Sequence, residues 1–282
     1  MRTWFITGAS RGFGALIAQE ALANGDAVVA TARSPKSITD HLGDHPNLLA
    51  LALDVNDESQ AHAASRSAVE RFGRIDVLVN NAGFGVLGAV EETSQAEIEA
   101  VFRTNVFGLL AVTRAVLPHM RRQRNGHILN MSSIGGYQSF IGWGVYCSTK
   151  FAVEGLSEAL SYELAPLGIK VTTVEPGFFR TDFLDASSLT ASPVIIDDYA
   201  ETSGAMRTNM AAANHLQPGD PARLARGIFT MVNDPEPPLR MPFGSDTVAA
   251  IEAKNATVAA ELAKWRELAV STDFADEPAL AA

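Results

Sequence analysis

Two side chains four residues apart carry the most definite chemistry in this sequence: the phenol of Tyr146 and the ammonium of Lys150, with the hydroxyl of Ser133 a little upstream. An α-helix turns once in about 3.6 residues, so positions i and i+4 lie on one face about one turn apart. A free phenol titrates near ~10, too high for proton transfer at neutral pH, and a neighbouring cation favours the phenolate. Lys150 is therefore expected to draw Tyr146 down and make it a usable acid or base. Ser133 closes an apolar run, Ile128, Leu129 and Met131, that reads as a strand. A hydroxyl fixed at a strand's carboxyl end can hold a substrate oxygen. The plain alternative for such a pair is a half-exposed helix face with a packed ring and a solvated ammonium, so the surrounding elements decide.

Those elements alternate. Thr3–Thr7 reads as a short buried strand, Gly8, Ala9, Ser10, Arg11, Gly12, Phe13 and Gly14 turn the chain, and a helical apolar pattern runs from Ala15 to Asn24. Glycines let backbone approach a pyrophosphate, and the free N–H groups of a helix start attract the anion. The glycines stand at 8, 12 and 14, which is not the G-x-G-x-x-G spacing. The next strand, Ala27–Ala32, ends at Arg33, where a dinucleotide fold often places a carboxylate for the adenosine ribose. A guanidinium there suits a 2′-phosphate, and Arg11 offers a second, so NADP(H) is preferred over NAD(H), which remains possible. A third strand, Leu48–Leu53, leads into Asp54 and Val55. Asp54 either accepts from an adenine amino group or caps the helix that begins near Asp57. Asp76–Val79 is a strand closing in Asn80, Asn81, Ala82 and Gly83, where backbone can come close to a ligand. Residues 94–124 read as one long amphipathic helix interrupted by Asn105, an interior amide that needs a partner. The three arginines near its end, Arg121, Arg122 and Arg124, read as a solvated terminus.

Composition bounds the function. The chain has 282 residues, 47% hydrophobic and 19% charged, with a formal net charge of −10, which predicts a globular protein and no nucleic-acid partner. Cys147 is the single cysteine, so no intramolecular disulfide forms and a cytoplasmic location is expected; it reads as a small buried helix residue. The start of the chain enters a strand directly, which predicts no leader, and no charge-free apolar run reaches spanning length, which predicts no membrane partner. Six histidines include His41 and His45, four apart in what reads as a loop, and no metal site is expected.

Thr7-Gly8-x-x-x-Gly12-x-Gly14, Asn80-Asn81-Ala82-Gly83, Asn105, Ser133 and Tyr146-x-x-x-Lys150 follow one another in an order that resembles the short-chain dehydrogenase/reductase (SDR) family over residues 3–182. The resemblance implies a doubly wound Rossmann fold, a central, mostly parallel sheet of about seven strands flanked by helices. It also implies a catalytic tetrad of Asn105, Ser133, Tyr146 and Lys150. In that reading Lys150 lowers the tyrosine pKa and binds the nicotinamide ribose beside Tyr146, and Asn105 anchors a water that refills the proton. Gly8, Ser10, Arg11, Gly12, Phe13, Gly14, Arg33, Asp54, Val55, Asn81, Ala82 and Gly83 would hold the rest of the cofactor. Pro176, Gly177, Phe179 and Thr181 resemble the segment at its nicotinamide end.

Past the helix expected from Val145 to Leu167 and the strand from Lys170 to Glu175, no family motif fixes a substrate. The expected organisation is one Rossmann-type domain over residues 1–282: a cofactor-binding and catalytic core to 178, a substrate lid over 179–218 and C-terminal helices over 219–282. The lid's apolar residues, with Phe140, Ile141 and Trp143, suit a hydrophobic ketone or secondary alcohol, or they pack the insertion on the core. An edge strand is expected at 239–242, a last amphipathic helix at 246–268 and a frayed end from Phe274 to Ala282. The expected activity is NADPH-dependent carbonyl reduction, reversible to alcohol oxidation, by a homodimer or homotetramer paired through the two long helices. The rival expectation, a cofactor-binding regulatory or scaffold protein, has no need of Tyr146 beside Lys150.

Overall fold

Strands buried on both faces read as unbroken apolar runs, and they form when helices cover both sides of a parallel sheet. β1 (Thr3–Thr7) and β2 (Ala27–Ala32) have every residue buried in the computed structural model, which describes residues 1–274. They are joined by α1 (Gly12–Ala23), and α2 (Pro35–Leu42) leads on to β3 (Leu48–Ala52). α3 (Glu58–Phe72) precedes β4 (Val77–Asn80), and β6 (Gly126–Met131), α6 (Gly144–Leu164), β7 (Ile169–Pro176), α8 (Pro221–Val232) and β9 (Arg240–Phe243) complete the frame. The sheet runs β3-β2-β1-β4-β6-β7-β9, and all its pairs are parallel, including the edge strand β9. This is the doubly wound α/β fold, with seven strands.

The strand order reverses between β1 and β4, and that reversal opens a crevice at the strands' carboxyl ends. One apolar layer packs Trp4, Ile6 and Val28 against Ile17, Leu224 and Ile228 of α1 and α8. The other packs Phe5, Val29 and Leu78 against Ala64, Val112 and Val116. Fully burying such side chains contributes about 1.5–3 kcal/mol each, so the strand ends are held by two rigid layers.

The long helix expected over 94–124 is α4 (Gln95–Phe102) and α5 (Leu109–Gln123) joined through a wide π-helical turn, Arg103–Gly108, that contains Asn105. Ser94 and Glu97 form its capping box. Gln95–Gln123 is long and apolar enough to cross a bilayer, but 56% of its apolar stretch is buried against the protein. Asp57 caps α3, accepting from the Ser59 and Gln60 N–H groups at 2.9 and 3.3 Å, so Asp54 is not the cap.

Three expectations change. His41 lies in α2, not in a loop; Pro35 at the helix start is the signal for it. A small second sheet pairs β5 (Gly85–Leu87) with β8 (Leu189–Ala191) in parallel, tying the segment expected to be a lid to the loop after β4. That segment also carries helix α7 (Ala205–Ala213). Finally, α9 (Ser245–Val270) is longer than expected and exposes apolar residues as well as charges. Of the end expected to fray, residues 275–282 lie outside the described residues.

Candidate active site

One cavity of about 750 Å³ occupies the crevice, from Arg33 and Asp54 past the glycine turn to Ser133, Tyr146 and Lys150. Every predicted cofactor residue except Gly14 lines it. Gly14 is buried beneath the turn, where a Cβ would sit 2.5 Å from the Gly8 carbonyl oxygen and from Asn81 Nδ2. Gly8 and Gly12 turn at φ +64° and +55°, a left-handed region that other residues rarely enter. α1 has no side-chain cap at Arg11, so its first N–H groups are left for an anion.

Asn81 braces this turn. Its side-chain amide donates to the Thr7 and Gly8 carbonyl oxygens at 2.9 and 3.0 Å, and its backbone N–H donates to Thr7 Oγ1 at 2.9 Å. Its side chain thus shapes the cradle. Arg33 is exposed at the cavity's outer end and, among the described residues, has no hydrogen-bond partner. Arg11 is engaged elsewhere: its guanidinium donates to Ser187 Oγ, Ser187 O and Ser188 Oγ, each at 2.8 Å. It spans from the glycine turn to the lid.

At the inner end, α6 brings Tyr146 and Lys150 to one face, both buried, with the ammonium 5.7 Å from the centre of the phenol ring. Ser133 Oγ accepts from the Gly135 N–H at 3.0 Å and lines the same end of the cavity as Tyr146. Lys150 Nζ donates to the Met131 carbonyl oxygen at 2.7 Å. Electrostatically the pair differs from expectation. Burial pushes Tyr146 above the ordinary phenol value, with the nearby Ser133 hydroxyl opposing, and it lowers Lys150 to about 8 despite the Glu154 charge. Loss of hydration outweighs an ammonium directed at a carbonyl.

Asn105 also departs from expectation. Its side-chain amide accepts from the Phe84 N–H at 3.1 Å and donates to Phe84 O at 3.0 Å and Thr149 Oγ1 at 3.1 Å. Both N–H groups therefore bind protein, and the side chain clamps the loop after β4 to α6. Gly83 fits above it because a Cβ would come 3.0 Å from Asn105 Oδ1.

Behind Lys150 lie groups not singled out in the sequence. Glu154 and Glu175 are both buried and near enough for their charges to interact, and Arg240 Nε lies 3.4 Å from Glu154 Oε2. Burial raises both carboxyls, Glu175 to about 7, and the proximity of Glu154 adds to the latter. The spacing of Glu154, one turn beyond Lys150, was the available signal.

The roof is apolar. Trp143 packs edge-on against Tyr146 at 5.6 Å, Phe183 lies 5.6 Å from the Tyr146 ring, and Leu87, Leu189 and Met206 join them. Pro176, Gly177, Phe179 and Thr181 form the adjoining wall, where Phe179 packs against Phe13 and Thr181 Oγ1 accepts from the Phe183 N–H. Cys147 is buried beside this cluster, and burial raises its thiol. Asp182, Asp185 and His215 gather at the lid, but His215 Nε2 and Asn214 already contact Asp185 at 3.1 and 2.6 Å.

The short chain dehydrogenase family model matches residues 2–191. A 3-ketodihydrosphingosine reductase from Bacteroides thetaiotaomicron is 38% identical over 240 residues, 85% of this chain and 86% of its own. The crystal structure of a short-chain dehydrogenase from Streptomyces avermitilis is 40% identical, with a TM-score of 0.89 over 97% of this chain and 100% of that one. The closed form of a serine dehydrogenase complexed with NADP+ is 28% identical, with a TM-score of 0.73 over 86% and 94%.

Proposed function

This chain belongs to the short-chain dehydrogenase family of NAD(P)-dependent oxidoreductases, and from that premise we propose that it is an NADPH-dependent reductase of hydrophobic ketones, reversible to oxidation of secondary alcohols. The observation that carries the reading is one cavity with Ser133, Tyr146 and Lys150 at its inner end under an apolar roof and Arg33 at its outer end. The cradle fits a dinucleotide: two left-handed glycines, an uncapped helix start and no carboxylate where β2 ends. Gly8 to Gly14 would hold the pyrophosphate, Asp54 and Val55 the adenine, Arg33 a 2′-phosphate, and Pro176 to Thr181 the nicotinamide end. The relative complexed with NADP+ supports this choice of cofactor.

A nicotinamide held by Pro176 to Thr181 would supply the hydride. Ser133 holds the substrate's carbonyl oxygen in line with the Tyr146 hydroxyl. Tyr146 donates its proton to that oxygen as negative charge develops there. Burial, which keeps Tyr146 a neutral phenol, suits this donor role. Lys150, largely protonated at neutral pH, opposes the charge left on the phenol ring. Asn105 fixes the wall between the loop after β4 and α6. Trp143, Phe183 and Leu189 exclude water and favour an apolar substrate; the ketosphingolipid reductase among the relatives supports that class.

Arg33→Asp tests the cofactor assignment. It is expected to raise KM for NADPH by at least about tenfold while leaving KM for NADH within about threefold. Equal losses for the two would contradict a 2′-phosphate contact.

A further inference from the structure

The start of the last helix reaches the cavity wall from behind. β7 and β9 pair in parallel as far as Pro176 and Phe243, and the Gly177 N–H donates to the Phe243 carbonyl oxygen at 3.0 Å. There the backbone partners stop. The next N–H, that of Phe178, donates to Asp246 Oδ2 in the first turn of α9 at 2.7 Å. A side chain thus carries the pairing one residue past the end of the strand. Its helix start is itself fixed, because Thr247 is fully buried and its Oγ1 donates to the same Phe243 carbonyl oxygen at 3.0 Å.

Two features set this carboxyl apart from an ordinary helix-end acid. Gly177 does not occupy the left-handed region, so its backbone conformation does not require glycine. A Cβ there would instead overlap Oδ1, Oδ2 and Cγ of Asp246 and displace the carboxyl from the Phe178 N–H. The donors of the segment are also nearly all engaged. Gly177 and Phe178 are held by Phe243 and Asp246, while Arg180 donates to the Gly219 carbonyl oxygen and Thr181 to that of Phe179, each at 2.9 Å. Among the described residues the Phe179 N–H alone has no acceptor, and Phe179 lines the cavity. Backbone N–H groups of a folded chain are normally paired, so the course set by Asp246 leaves one donor to spare at this wall.

We infer that Asp246, which does not itself line the cavity, is a positioning residue of the cofactor site. By holding the Phe178 N–H it fixes the course of Pro176 to Thr181, and with it the wall on which the nicotinamide ring lies. The role rests on the proposed assignment of Pro176 to Thr181 to the nicotinamide end.

Titration of the full-length chain with NADPH, read by the emission of its reduced nicotinamide, tests this beside 2′-phospho-ADP-ribose, which lacks that ring and is read by calorimetry. The wild type is expected to change the emission as the ring leaves water. Asp246→Ala is expected to lose at least about half of that change at saturating NADPH, while its Kd for 2′-phospho-ADP-ribose stays within about twofold of the wild type. Asp246→Asn keeps an acceptor oxygen for the Phe178 N–H and is expected to restore most of the change. Gly177→Ala is expected to match Asp246→Ala, and adding it to Asp246→Ala to change little further, because both remove one contact. Full emission change in Asp246→Ala would overturn the inference, and so would an equal weakening of both ligands, which a general loss of structure gives. A wild type that binds NADPH with no change in emission would instead overturn the assignment of Pro176 to Thr181, and the role of Asp246 with it.

Discussion

Tyr146 and Lys150 illustrate how far residue types and spacing carry at the scale of single side chains. Their shared face was readable, because helical periodicity fixes it. Their protonation was not, because it depends on how completely the site is dried and on where Lys150 Nζ points. Asn105 gives the same lesson: its position was legible and its partners, Phe84 and Thr149, were not, since they come from distant segments. Glu175 yields the residue-scale prediction. Its folded-state pKa is raised from 4.5 to about 7, so the protonated form is favoured by folding. The carboxyl's contribution is fully present below pH 4.5 and is lost as pH rises through about 7. Relative to Glu175→Gln, the wild type is therefore expected to lose stability, by at most about 3 kcal/mol, between those two pH values. Denaturant unfolding of both proteins at pH 4.5, 6 and 8 checks it; a pH-independent difference would show that Glu175 ionises without cost.

At the scale of elements, the parallel strands were legible because burial on both faces writes continuous apolar runs. The internal structure of residues 179–218 was not, because β8 is three residues long and forms by pairing with β5, about a hundred residues earlier in the chain. Two charged contacts hold that segment. Arg207 pairs with buried Glu92 at 2.8 Å and, with the Ile196 and Ala89 N–H groups, lowers Glu92 to about 2. Arg11 bonds Ser187 and Ser188 from the glycine turn. Arg11→Ala is expected to speed amide hydrogen exchange over residues 185–191 by at least about fivefold, with exchange in β1 and β4 unchanged. No change over 185–191 would mean that β5 alone orders this part of the lid. Arg207→Ala leaves Glu92 buried and unpaired, a cost of about 3 kcal/mol, and is expected to loosen residues 192–213 in the same measurement.

At the scale of the whole molecule, the sheet order places the glycine turn and the loop after β4 side by side, and α6 delivers Tyr146 from the far side of the crevice. One cavity thereby joins the glycine turn and Arg33 to Ser133, Tyr146 and Lys150. The apolar roof joins Leu87 and Trp143 to Phe183, Leu189 and Met206 from residues 179–218, whose weak periodicity concealed their shape. The central claim is that Tyr146 hands a proton to a carbonyl oxygen in that cavity. Its most direct test is the loss of NADPH absorbance with bulky hydrophobic ketones, comparing the wild type with Tyr146→Phe. The account predicts turnover in the wild type and a fall in kcat of at least about 10³-fold in the variant, with NADPH binding retained within about threefold. Equal turnover by the two proteins would contradict it.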